Sequence, residues 1–529
     1  MVNNRNAIDD GNKISRKEFT KRMAGGLGGA ALFSLLPGEG YAKRRSEGNS
    51  PNIVFICVEQ HCFKYTGYAG HRWVRTPNLD RIARRGVTFN NAYTTSPVCT
   101  PGRAGLMTGV FPSDSNSFGN STVWDGSHPT WGARLQKAGY DTWATGKMDL
   151  NPAYNLGFKT DNVGNGHAKN PDITELFRRP VGYRMGERPN VTGRARKHRY
   201  RHDTEARNKA LKHLRNMQDR KQPWATYIGF TLAHPPFVAL KKYFTWYYPD
   251  RIDMPNIPDH HLEHLHLMFQ ELRRFKRIAT PIPEERIRRA RAGYYGKITE
   301  LDEYVGQIWN YLEKNGQLDD TIFVYTADHG EMAGAHGLWY KNNLYEEASH
   351  VPLLIAGGGL PKGKQIDTAV SHMDVVYTLL ELAGAERPDS LRGHSLMPMI
   401  QGKGLGDHPG YAYCESHSEG NCTGSFMIRK GNWKYLHFTW YRDLLFNLKQ
   451  DPGEFANRIN DASTKDIQKD LKHILHTLVN PEEVTLRGFR TQKKFLDRKV
   501  HNMTAKGLFK EFKGRLGTGQ AKALVNKLT

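Results

Sequence analysis

The chain has 529 residues, a hydrophobic fraction of 38% and an aromatic fraction of 11%, which excludes a disordered chain and a multi-span membrane protein and leaves room for more than one core. Its 76 Lys and Arg outnumber its 53 Asp and Glu, a formal charge of +23, so an acidic partner or substrate is expected. Cys57, Cys62, Cys99, Cys414 and Cys422 form neither a disulfide framework nor a structural zinc pattern, with Cys414 and Cys422 the one pair that could bridge in an oxidising compartment.

Residues 1–42 read as an export signal. Ser15-Arg16-Lys17-Glu18-Phe19 precedes an uncharged run from Met23 to Leu36, and Gly40-Tyr41-Ala42 places small residues at −3 and −1 of a cleavage site. The Arg-Lys pair resembles a twin-arginine signal whose second Arg is replaced. The run is short of the about 20 residues a spanning helix needs, and no other window predicts a stable membrane span.

From residue 50 strand-like and helix-like runs alternate. Asn52 to Val58 is a buried-strand run ending in Glu59-Gln60-His61, with a helix at Thr76–Gly86. Ser96 to Gly109 follows. Pro101 suits a first helical turn, which puts Cys99 at a helix N-terminus where free N–H groups favour negative charge, and Arg103 one turn further in. Asp141 to Thr145 is a strand leading to Gly146-Lys147-Met148-Asp149. After a helix at Asp203–Gln218, Trp224 to Thr231 leads to Ala233-His234-Pro235. Residues 240–285, rich in His, Arg, Tyr and Pro, look like an insertion, and Arg286–Asn315 is helical. Thr321 to Thr326 leads to Asp328-His329-Gly330-Glu331, and Pro352 to Ala356 is another strand. This order predicts an α/β fold over 50–404, a mostly parallel sheet sandwiched by helices. From 405 the pattern changes. Ser425 to Tyr435 and Leu444 to Leu448 read as short strands and Lys465 to Leu478 as a helix, a small α+β subdomain over 405–486. Residues 487–529 hold twelve Lys and Arg against two Asp and Glu, a basic tail expected as a solvated arm or surface helix.

Ligands of parallel sheets sit at the carboxyl ends of strands. The Glu, Asp, Gln and His of these ends, Glu59-Gln60-His61, Asp149, His234 and Asp328-His329-Gly330-Glu331, offer oxygen and nitrogen to a hard divalent cation. Lys147 and His234 could hold an anion and protonate a leaving group. One such residue alone is more often a surface loop residue. Four polar strand ends from distant segments form a constellation.

Cys99-x-Pro101-x-Arg103 followed by Thr108-Gly109 resembles the signature of type I sulfatases, whose cysteine is oxidised after translation to formylglycine. Pro51 to Ile56, Thr76 to Asp80, Asp328 to Glu331, His336 to Lys341, Trp433-Lys434-Tyr435 and Asp451 to Glu454 are similar to further blocks of that family. The resemblance covers nearly the whole chain after the signal. It implies an alkaline-phosphatase-like fold with a smaller C-terminal subdomain. It implies Ca²⁺, with Mg²⁺ as the alternative, held by Glu59, Gln60, Asp328, His329 and the modified Cys99, which is also the nucleophile. Arg103 would orient residue 99, Lys147 and Lys341 would clamp the sulfate oxygens, and His234 would stand beside the leaving group. A formylglycine-generating enzyme is the implied maturation partner.

Three positions depart from the family pattern. Glu59 stands where Asp is usual, Gly102 where Ser is common, and Asp149 where a His usually follows the strand-end Lys by two residues. Lys147-x-Asp149, with Glu415-x-His417, resembles the arylsulfatase K-type branch, and His417 is the candidate sugar contact. The expected activity is sulfate ester hydrolysis on a sulfated carbohydrate by an exported enzyme. A phosphonate monoester or phosphodiester hydrolase of the same superfamily is the alternative that Glu59-Gln60 suggests. An inactive polyanion-binding homologue is the other, resting on Asp149 and Glu59 against the retention of every other site residue. No nucleic-acid motif accompanies the charge.

Overall fold

The structure, a computed structural model, describes residues 50–164, 166–169 and 191–529. The export signal expected over 1–42 lies outside the described residues.

An eight-stranded sheet organises the chain. In chain order its strands are β1 (Asn52–Val58), β2 (Gly86–Phe89), β3 (Asp141–Lys147), β4 (Lys159–Gly164), β5 (Trp224–Phe230), β6 (Thr321–Ala327), β7 (Leu353–Gly357) and β8 (Lys364–Ile366). Their spatial order is β8-β2-β7-β6-β1-β5-β3-β4. β6, β1, β5, β3 and β4 are parallel neighbours, while β7 runs antiparallel to β6 and β2. The mostly parallel α/β sheet expected from the sequence is therefore present.

β1 is central and its residues from Ile53 to Val58 are buried. Strand alternation divides them between two cores. Ile53, Phe55 and Cys57 face a core shared with Ala104, Met107, Val375 and Leu379. These come from α2 (Cys99–Thr108) and α5 (His372–Leu382). Val54, Ile56 and Val58 face a core shared with Leu79, Ala210, Leu214, Val305 and Ile308. These come from α1 (Pro77–Arg84), α3 (Arg201–Asn216) and α4 (Glu284–Lys314). Helices thus cover both faces and leave the strand ends for chemistry.

The C-terminal part forms a four-stranded antiparallel sheet of β9 (Tyr411–Ser416), β10 (Ser425–Lys430), β11 (Trp433–Phe438) and β12 (Leu444–Asn447). The single strand expected over Ser425 to Tyr435 is two. Lys430 pairs with Trp433 across Gly431-Asn432, and Gly431 has φ 55°, a left-handed turn position that glycine takes without steric cost. α6 (Lys465–Leu478) packs Leu471 and Leu475 on this sheet. Within the 240–285 insertion, helix Leu267–Phe275 buries Met268, Phe269 and Leu272 beside Leu436 and Phe438, so the insertion joins the two parts.

The basic tail is folded, not a solvated arm. α7 (Pro481–Asn502) runs across the boundary expected at 486/487. α8 (Ala505–Leu516) and α9 (Thr518–Leu528) follow and bury Leu508, Phe512, Ala521 and Val525 against one another. Apolar residues at helical spacing hold these helices together while their lysines face solvent. Among the described residues no disulfide joins the cysteines, Cys414 and Cys422 included, and no helix is long and apolar enough to cross a membrane.

Candidate active site

The carboxyl ends of four adjacent parallel strands, β6, β1, β5 and β3, meet at one place. β1 leads to Glu59 and Gln60, β6 to Asp328 and His329, β5 to His234, and β3 to Lys147 and Asp149. The turns there are tight. Gln60, Asp149, Ala233, Tyr340 and Asn342 are non-glycine residues with φ of 61°, 55°, 75°, 72° and 76°. Such left-handed positions cost on the order of 1 kcal/mol each and persist where the surroundings fix them. Here they aim Glu59, Lys147, His234 and Lys341 inward.

β3 and β5 approach closely at this end. A Cβ on Gly229 would lie 1.8 Å from the Lys147 carbonyl oxygen, so only glycine fits. The Lys147 carbonyl is thereby placed to accept from Arg103 Nη1 at 2.8 Å and from Tyr227 Oη at 3.0 Å.

Cys99 is the first residue of α2, whose residues are all buried. Thr100 N donates to Asn120 Oδ1 at 3.0 Å. Gly102 explains its departure from the family pattern. A Cβ there would lie 2.7 Å from Ser96 O and 2.9 Å from Asp328 O, and its absence lets α2 sit against the segment that carries Asp328. Arg103, fully buried, donates to Asp328 Oδ2 at 2.9 Å and to Tyr227 Oη at 2.8 Å. It braces Asp328 and the Lys147 backbone, where the resemblance had it orient residue 99.

The Cys99 thiol donates to Glu59 Oε1 at 3.1 Å, lies 3.4 Å from His329 Nε2, and accepts from Lys341 Nζ at 2.9 Å. Lys341 Nζ also donates to Gln60 Oε1 at 3.1 Å. Lys147 Nζ pairs with Glu59 and, at 3.1 Å, with Asp149. His234 Nε2 is 3.7 Å from Glu59 Oε1, and its Nδ1 donates to Pro235 O at 2.6 Å, which fixes the ring with Nε2 toward the site. The structure therefore brings together Glu59, Gln60, Cys99, Lys147, His234, Asp328, His329 and Lys341.

Burial opposes ionisation of Glu59, but the charges of His234, Lys147 and Lys341 outweigh it and hold the carboxyl well below its ordinary range. Burial likewise opposes the charge of Asp328, and His329 and Arg103 overcome it. Burial pushes the His329 imidazole down to about 4. Ionised carboxylates beside an imidazole suit cation binding.

The ligand atoms of Glu59, Cys99, Asp328 and His329 all lie within 4.8 Å of one another. Glu59 Oε2 is buried with no hydrogen-bond partner among the described residues, a vacant lone pair that a cation would satisfy. Oxygen donors with one imidazole fit Ca²⁺ or Mg²⁺. A second group, His336, Glu347 and Glu454, is already neutralised by lysines, with Lys434 3.0 Å from Glu454 and Lys64 3.1 Å from Glu347.

Two residues here had no role in the sequence reading. Glu331 accepts from the Gln60 side-chain amide and from Ala333 N and Tyr340 N at 2.9 and 2.6 Å, so it turns Gln60 Oε1 toward Lys341 and the site. His167, 29% exposed, has Nε2 3.9 Å from Asp149 Oδ2, and although burial opposes its charge, the neighbouring Cys99 and Asp149 raise its pKa above the ordinary imidazole value. His167 lies three residues after Gly164, which β4 pairs with Lys147.

His417 is not brought to this cluster. It is 2% exposed, its Nε2 is 3.2 Å from Glu415, and its ring packs on Phe118 and Phe426. Glu415 accepts from Ser113 N at 2.6 Å and from Tyr413 Oη at 2.7 Å, so this pair braces the subdomain. From the same loop Glu419 accepts from Asn342 Nδ2 at 2.8 Å.

The family model for sulfatases matches residues 51–385, over half of the chain. The chain belongs to the sulfatase family. A second model, N-sulphoglucosamine sulphohydrolase, C-terminal, matches residues 334–480 of this sulfatase. Arylsulfatase K of Rattus norvegicus is 30% identical over 488 residues, 88% of this chain and 84% of that one. Choline-sulfatase of Rhizobium meliloti (strain 1021) is 32% identical over 430 residues, 77% of this chain and 82% of that one. Among solved structures, phosphonate monoester hydrolase of Agrobacterium radiobacter is similar with a TM-score of 0.67 and 25% identity, over 81% of this chain and 95% of that one. The sulfatase is a sulfuric ester hydrolase with the superfamily's α/β sheet and a small antiparallel C-terminal sheet.

Proposed function

We propose that this sulfatase removes sulfate from a sulfated carbohydrate, with residue 99 as formylglycine and a divalent cation, Ca²⁺ or Mg²⁺, held by Glu59, Gln60, Asp328, His329 and residue 99. The supporting observation is the meeting of carboxylates and two lysines, Lys147 and Lys341, around Cys99 Sγ. Formylglycine, once hydrated by a water molecule, would supply geminal hydroxyls, one to attack sulfur and one to expel sulfate with return of the aldehyde, and a cation held by these residues would offset charge on a sulfate oxygen. Lys147 and Lys341 supply the remaining positive charge for the sulfate oxygens. His234, 41% exposed, presents Nε2 at the mouth, where the alcohol departs. Maturation requires a formylglycine-generating enzyme, and the pattern of residues 1–42 supports export.

His167 takes the place left by Asp149, which stands where the family has a histidine. Its ring reaches Cys99 and Asp149, so it is placed to take the proton from residue 99. His167→Ala is expected to lower kcat by about 10²–10⁴-fold, the usual worth of a positioned base, with KM within a few fold. A kcat equal to wild type, measured on the same sulfate ester, would remove His167 from the reaction.

The carbohydrate assignment rests on the charge of +23, which favours encounter with a polyanion at low salt. The test is a salt titration of turnover. A sulfated oligosaccharide should lose rate more steeply than a small aryl sulfate, since steering acts within a Debye length of about 8–10 Å on the more highly charged ligand. Equal slopes with faster aryl ester turnover would overturn the carbohydrate reading and leave the sulfatase chemistry standing. The similarity to a phosphonate monoester hydrolase sets the control, a phosphonate monoester and a phosphate diester in the same assay. Either one turned over faster than every sulfate ester would favour that alternative.

A further inference from the structure

α7 presents Arg487, Arg490, Lys494 and Arg498 toward the loop of residues 116–125 and toward Asn151 and Tyr154. The spacings of three and four residues put these cations on one helix face. A cleft of about 660 Å³ lies between. Among the described residues the ion pair on α7 joins Lys493 to Asp497 at 2.7 Å, not the cleft cations. Arg487 Nε is buried and has no hydrogen-bond partner among the described residues.

The one carboxylate lining the cleft, Asp125, is already engaged by Asn116 Nδ2 at 2.7 Å and Ser127 N at 3.0 Å. Four like charges on one face repel one another, and an anion between them relieves that repulsion. Tyr154 is 43% exposed and packs edge-on against Trp124 at 5.6 Å. Its exposed ring is an apolar surface with a polar rim, suited to the C–H face of a sugar ring. Asn116 and Asn151 add amides for hydroxyl groups.

The cleft adjoins the reaction centre along two segments. Asn120, in the 116–125 loop, binds Thr100 N beside Cys99. Asn151 follows Asp149 by two residues, so their Cα atoms are at most about 7.6 Å apart. A saccharide with its ester at residue 99 has this cleft as its neighbour.

We propose that the cleft is a subsite for an anionic saccharide unit, sulfated or carboxylated, next to the unit being desulfated, and that the enzyme therefore prefers oligosaccharides to monosaccharides. This rests on the carbohydrate reading above. The test uses full-length Cys99→Ala protein, which needs no maturation, and calorimetric titration with a sulfated hexasaccharide of defined length. Arg487→Ala/Arg490→Ala/Lys494→Ala should weaken binding at least tenfold. The charge-matched control Lys506→Ala/Lys510→Ala/Lys513→Ala, on α8, should change it less than twofold. Equal losses in both, or none in the first, would overturn the subsite, as would equal binding of a single-stranded oligonucleotide of the same charge. Arg490→Gln/Lys494→Gln, at exposed positions, reads the same effect if the triple variant folds poorly. In matured enzyme the groove variant should raise KM for the oligosaccharide and leave a sulfated monosaccharide unchanged. An enzyme that turns over no sulfated saccharide defeats the carbohydrate reading. One that cleaves them with KM indifferent to the groove variant defeats the subsite alone.

Discussion

Cys99→Ala protein is expected to lose sulfate ester hydrolysis by at least about 10⁴-fold while remaining folded. Removing a covalent nucleophile leaves only binding and electrostatic stabilisation. Cys99 Sγ is the point on which Glu59, His329 and Lys341 converge, and no neighbouring side chain replaces the chemistry of residue 99. The structural cost is small, because alanine keeps the helix and leaves a void of one sulfur atom, about 1 kcal/mol. The checks are turnover, thermal unfolding, and mass spectrometry of the wild-type peptide spanning residue 99, which should carry an aldehyde in active enzyme. Full activity in the alanine variant would refute the assignment of residue 99.

Asp328→Asn should lose about one bound divalent ion per chain together with activity, because a neutral amide is a far weaker ligand for a hard cation. It should also destabilise the fold. Arg103 and Asp328 are both fully buried and joined at 2.9 Å, and removing one charge of a buried pair costs about 3–5 kcal/mol. Metal analysis and denaturant unfolding separate the two losses. A conservative comparison, Tyr227→Phe, removes a hydrogen bond to Arg103 and touches no ligand, so it should lower stability and leave metal content intact. Unchanged metal content in Asp328→Asn would count against the ligand set.

The strand ends were legible because β1, β5 and β6 are buried on both faces, which writes them as unbroken apolar runs. The polar residues that end those runs then stand out. β4 was not legible. It is an edge strand, Lys159–Gly164, with no buried position, so its sequence lacks both alternation and an apolar run, and His167 went unnoticed with it. Arg103 was placed by motif but its partners were not, since its contacts with Asp328 and Lys147 come from segments far apart in sequence. His417 is expected as a sugar contact from its place in the Glu415-x-His417 pattern, but Phe118 and Phe426 cover it from other elements. The tail's charge concealed its apolar periodicity, which surfaces only once α8 and α9 are seen to pack on each other.

Cys99 has no solvent exposure, and this sets a clock. On the proposed reading, the enzyme that oxidises Cys99 has to reach it before α2 is enclosed. Part of the enclosure, His329, is synthesised 230 residues after Cys99. At about 5–20 residues per second, ribosomes give the modifying enzyme on the order of 10–50 s in which the segment exists and its cover does not. The active fraction of a preparation is then decided by a race during synthesis, and slower translation or slower folding should raise it. On the proposed reading, chains that close first are expected to be inert, and adding the modifying enzyme to them afterwards should achieve nothing until they are unfolded.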